Sequence, residues 1–188
     1  MSTIAARIKA FEHVRDIPYR FNFRDRSKDT TSLSKSGMLK KLLADFGVAA
    51  YGVCCSYRWD STRMPPELVA KAPHPESQHH FLHAFIPETR KWVRVDATWD
   101  SGLKAAGFPV AEWDGLDSTI LAVTPLEIFS PDMSAMTSYE KENDQERFWH
   151  MMQMTYGAFY DDLNLWIESQ RTPLTGRTSP GPAGRDNG

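Results

Sequence analysis

Three histidines and Asp96 crowd into one stretch of the chain, His79 to Asp100, which reads HHFLHAFIPETRKWVRVDATWD. An aspartate that accepts a hydrogen bond from one ring nitrogen of a histidine fixes the tautomer and orientation of a proton-transferring imidazole. Such a pair requires two distant positions to meet side by side, and the local pattern supplies the means. Leu82, Ala84 and Ile86 alternate with Phe81, His83 and Phe85, the period of two expected of a strand. Pro87-Glu88-Thr89-Arg90 predicts a turn, and Trp92, Val93 and Val95 a return strand. A turn centred near Glu88-Thr89 places Asp96 opposite Phe81, closer to His80 than to His83. His80 is therefore the expected partner, His83 the alternative, and His79 a solvated loop residue next in line. A metal reading of His74, His79, His80 and His83 is disfavoured, because adjacent residues on a strand face opposite ways.

The chain of 188 residues suits one domain, and 41% hydrophobic content with 12% aromatics can fill a sizeable core. A net charge of −2 and a pI near 6.3 give no basic footprint for nucleic acid. No apolar run approaches the ~20 residues of a membrane span, and the N-terminus lacks the order of a signal peptide. Cys54 and Cys55 are sequence neighbours, a poor geometry for a disulfide, so a reduced cytoplasmic protein is expected. Both fall in an apparent strand, where cysteines are usually small buried hydrophobes.

The elements that must position the hairpin residues follow from spacing. Ile4, Ile8, Phe11 and Val14 recur at helical intervals, and Pro18 bars continuation. Leu39, Leu42, Leu43 and Phe46 form the apolar face of a second helix, with Gly47 placed to stop it. Val48–Trp59 reads as a strand, 61–78 as a loop, and 101–130 as an irregular wrap over the core. A last helix is predicted from about Tyr139 to Gln170. The segment from Arg171 onward is rich in Gly, Pro, Ser and Thr, and a disordered tail is expected over 171–188, after a domain of residues 1–170. Helices first, then strands and a hairpin, predict an α+β domain. Asp100 and Asp114 suit loop anchoring, Trp92, Trp99 and Trp113 suit packing, and Lys35, Lys40 and Lys41 suit a solvated helix face.

A nucleophile at the N-terminus of a central helix would have unpaired backbone N–H groups and the positive end of the dipole beside it. The helix that ends at Gly47 begins Thr31-Ser32-Leu33-Ser34-Lys35-Ser36-Gly37-Met38. With Lys35, Met38-Leu39, Leu42-Leu43 and Gly47-Val48 in register, the chain resembles the transglutaminase-like superfamily. Val14 to Tyr19, Trp92 to Thr98, Thr98-Trp99-Asp100, Gly107 to Val110 and Glu112 to Gly115 extend the resemblance over roughly residues 4 to 125, toward a prokaryotic branch. The resemblance implies a papain-like fold, a central helix packed on an antiparallel sheet. It also implies acyl transfer on an amide of a peptide or protein, with no cofactor and no metal. The family's strand length from histidine to turn again favours His80.

The family's cysteine position holds Ser32. A thiol can be drawn below neutrality by an imidazolium and a helix terminus, whereas a hydroxyl needs a base that removes its proton during attack. The expected reacting set is Ser32 as nucleophile, His80 as base (alternatively His83) and Asp96 as orienter. A Ser-based enzyme, a pseudoenzyme that keeps the cleft for binding, and an engineered exchange of cysteine are all open readings of Ser32.

Overall fold

The computed structural model describes residues 3–129 and 145–171. Helix α1 (Thr3–Arg15) is followed by an irregular segment with a 3-10 turn at Arg26–Lys28, then by helix α2 (Ser32–Asp45). Strand β1 (Ala50–Arg58) leads through a short helix, α3 (Pro66–Val69), to strands β2 (Glu76–Ile86) and β3 (Lys91–Val95). A two-residue strand, β4 (Glu127–Ile128), and the long helix α4 (Gln145–Gln170) complete the described elements. The strands form one antiparallel sheet in the order β3-β2-β1-β4, so the protein is α+β.

The spacing that predicts α1 and α2 also explains how they dock. Phe11 and Val14 of α1 and Leu39 and Leu43 of α2 are fully buried, and pack on Leu82, Ala84 and Ile86, which share one face of β2. Gly47 has φ of +72°, and its N–H bonds the Ala44 carbonyl, so α2 ends in the left-handed turn expected of a glycine stop. The opposite face of the sheet carries Val53, Cys55 and Phe81. A second core gathers Tyr19, Tyr57, Trp59, Leu103 and Phe108 against Phe159, Tyr160, Leu163 and Ile167 of α4.

Several boundaries differ from the sequence reading. Strand β2 begins at Glu76, so His79 lies inside a strand rather than a loop. Helix α4 runs through Gly157 without interruption, and the predicted start near Tyr139 lies outside the described residues. Arg171, assigned to the tail by composition, is anchored: its guanidinium donates to both carboxylate oxygens of Asp100 and to the Tyr19 carbonyl. The rest of the predicted tail, 172–188, lies outside the described residues. No described helix is long and apolar enough to cross a membrane.

Candidate active site

The face each residue occupies is decided by strand register. Leu82 pairs with Val95 and Ala84 with Val93, so the next rung beyond β3 sets Asp96 opposite Phe81. Directly opposed residues point to the same side of a sheet, as do those two positions away along the strand. Asp96 therefore shares a face with Phe81, His79 and His83, and not with His80. The structure pairs it with His79: Nε2 lies 2.8 Å from Oδ2, with His79 3% and Asp96 2% exposed. This corrects the expectation of His80, which weighed distance along the strand and not the alternation of faces.

Asp96 is held from every side. Its Oδ1 accepts the Thr98 N–H (3.1 Å), its Oδ2 accepts the Ala122 N–H (2.8 Å), and its own N–H donates to Thr119 Oγ1 (2.9 Å). Burial pushes its carboxyl up, but the charge and hydrogen bonding of His79, together with these donors, bring it below the ordinary 3.8. An ionised carboxylate only accepts, so Nε2 carries a proton, and in the neutral form of the ring Nδ1 is the proton acceptor.

The other two histidines are occupied differently. His83 Nδ1 is 3.0 Å from the Tyr51 hydroxyl, and burial followed by the charge of Arg94 lowers its pKa. His80 faces the α2 side of β2, with a buried Nε2 that has no hydrogen-bond partner. Desolvation, with a smaller effect of His79, takes His80 down to about 4, too weak a base for chemistry near neutrality.

Ser32 opens α2 and is buried beside this strand. Its Oγ accepts the N–H of His80 at 3.3 Å, the peptide that joins His79 to His80. One turn later, Ser36 Oγ donates to the His80 carbonyl at 3.2 Å. The β2–β3 ladder has already ended at Leu82, so two hydroxyls of α2 serve the main chain of His80 where a strand would otherwise do so. Ser32 Oγ makes no hydrogen bond to an imidazole. At the same helix start the N-cap residue Thr31 provides no side-chain cap, and its hydroxyl donates to Asp29 Oδ2 (2.8 Å). Ser34 Oγ donates to the same oxygen (2.6 Å). The first N–H groups of α2 are thus not consumed by a capping side chain, and can stabilise developing negative charge.

Ser32, His79 and His80 line one cleft of about 800 Å³. Its walls are strongly aromatic, with Tyr19, Phe21, Trp59, Trp99, Phe108, Tyr160 and Trp166 among them. Cys54 also borders it, but burial raises that thiol to about 11, so it is no substitute nucleophile. Among the described residues no three His, Cys, Asp or Glu side chains converge as a metal site.

Lys35 was the strongest signal missed. It is 1% exposed, not part of a solvated face, and its Nζ donates to the carbonyls of Arg15 and Thr98 at 2.8 Å each. The signal was present in the spacing, since Ser32, Lys35, Leu39 and Leu43 fall on one helical stripe. Asp100 and Asp114 do anchor loops, accepting the N–H groups of Tyr19 and of Leu116 and Asp117. Comparisons with family models, curated proteins and solved structures return no match.

Proposed function

We propose that this chain is a transglutaminase-like domain of papain-like fold whose cleft performs acyl transfer at an amide of a peptide or protein. The observation that carries the proposal is the buried His79–Asp96 pair, on a strand whose neighbouring peptide touches Ser32 at the start of α2. Packing of α2 against β1 and β2 agrees with the central-helix arrangement of such a fold.

In this reading the Ser32 hydroxyl attacks the substrate carbonyl while His79 Nδ1 removes its proton. Asp96 stabilises the imidazolium, and N–H groups of the first turn of α2 receive the oxyanion. Collapse of the tetrahedral adduct expels the amine, protonated by His79, and leaves an acyl ester on Ser32. Water or a second amine then releases the acyl group, giving hydrolysis or cross-linking. No metal or redox group enters this sequence.

One observation favours a second reading, a cleft that binds peptides without turning them over. The Ser32 Oγ accepts the His80 N–H, and its own proton is donated to no base. A fluorophosphonate reagent separates the two. Labelling of the native protein at Ser32, abolished in His79→Ala, is expected of the acyl-transfer reading. Absence of labelling, combined with a Ser32→Cys variant that alkylates readily with iodoacetamide near neutral pH, would leave a binding cleft on an intact scaffold. An engineered thiol as slow as free cysteine would sink the assignment of the reacting set altogether.

A further inference from the structure

A buried ammonium group ties the helix that begins at Ser32 to the loop that carries Asp96. Lys35 lies three residues after Ser32. Its Nζ donates at 2.8 Å to the Arg15 carbonyl, in the last turn of α1, where main-chain oxygens lack helical partners and the dipole attracts a cation. It donates equally to the Thr98 carbonyl, and the N–H of that same Thr98 donates to Asp96 Oδ1. Through the main chain of Thr98 and the carboxylate of Asp96, a series of hydrogen bonds thus links Lys35 to His79 Nε2.

We propose that Lys35 is a positioning residue, which clamps the Asp96 loop to the start of α2 so that His79 holds a single tautomer in the cleft that Ser32 also lines. Its purpose rests on the acyl-transfer reading, although the series of bonds does not.

Bulk alone does not account for a lysine here. A methionine of similar length would fill the space with no charge to desolvate. Burial pushes Lys35 down to about 7, despite Asp100, Asp96 and Asp16 acting to raise it, while Arg171 lowers it further. A methionine cannot donate to carbonyls of two different elements at once, which the ammonium does with two of its three protons. The site therefore uses the donor chemistry of the side chain, at a cost in desolvation.

The test uses the full-length protein with nitrogen-labelled histidine, and compares the parent with Lys35→Met. Long-range proton–nitrogen spectra report which nitrogen of His79 is protonated, with the resonance assigned by His79→Asn. The parent is expected to show one tautomer, protonated at Nε2, and Lys35→Met a mixture. In the Ser32→Cys background, Lys35→Met is expected to raise the midpoint of the alkylation pH profile by about one unit, which is about tenfold less thiolate at pH values below it. A purely structural lysine would lower the melting temperature and move neither the tautomer nor the midpoint, and that result would overturn the proposal. Should Lys35→Met not fold, Lys35→Gln, which keeps a polar donor of shorter reach, is read by the same two measurements. If Ser32→Cys itself reacts like a free thiol, the acyl-transfer reading fails while the His79 tautomer still decides the role of Lys35.

Discussion

Asp96 meets His79 diagonally across two strands, two positions away from Phe81, the residue it directly opposes. The diagonal is long for small side chains, but an imidazole spans it. Because His79 and not His80 occupies that diagonal, the two adjacent histidines have separable roles.

In the Ser32→Cys background, His79→Ala is expected to slow alkylation near neutral pH by about tenfold or more, since the thiolate loses its imidazolium partner. His80→Ala is expected to change the rate by less than about twofold. Rates measured with iodoacetamide decide it, and quenching by the His80 variant alone would reverse the assignment.

Acid stability should report on Asp96. Its folded pKa lies below the ordinary 3.8, so its contribution is complete above that value and drains away as the pH falls through the folded pKa. Asp96→Asn should cost about 2 kcal/mol near neutrality, because His79 and two backbone donors lose a charged acceptor. Between about pH 5 and about pH 3, urea unfolding should show a smaller loss of stability in the variant than in the parent. Equal losses would mean that Asp96 is not ionised in the folded protein.

Both thiols should be silent in the folded state. Burial lifts Cys54 to about 11, and Cys55 to about 12 with small additions from Cys54 and Asp96. Ellman's reagent at about pH 8 should find no reactive thiol before denaturation and both afterwards. Rapid modification of Cys54 in the native protein would bring it back as a candidate nucleophile.

Arg171→Ala should cost about 2–4 kcal/mol in a denaturant titration, because it strands the buried Asp100 carboxylate with the Tyr19 N–H as its remaining donor. The double variant Arg171→Ala/Asp100→Asn should recover part of that loss. A double variant less stable than Arg171→Ala would show that Asp100 does not depend on the ion pair.

The sheet and helices were legible because their signals are local. The alternation around Leu82, the turn at Pro87–Arg90 and the glycine at 47 each specify structure within a few residues. Even the placement of Asp96 opposite Phe81 follows from the turn alone. What failed was the step from register to face, since His80 is nearer along the strand yet points to α2. Lys35 was misread because a lysine on a helix that also carries Lys40 and Lys41 suggests solvent, although its position on the Leu39 and Leu43 stripe points inward. The Arg171–Asp100 pair spans 71 residues, and no local pattern announces a contact of that kind.

Holding the His80 peptide also sets opposing demands on position 32. An oxygen accepts a peptide N–H well and a sulfur only weakly, whereas sulfur is the better nucleophile. The hydroxyl that fastens α2 to β2 is therefore the choice that favours a firm joint, and a thiol the choice that favours turnover. Exchange of one for the other moves the domain along a trade-off between rigidity and reactivity located in a single atom.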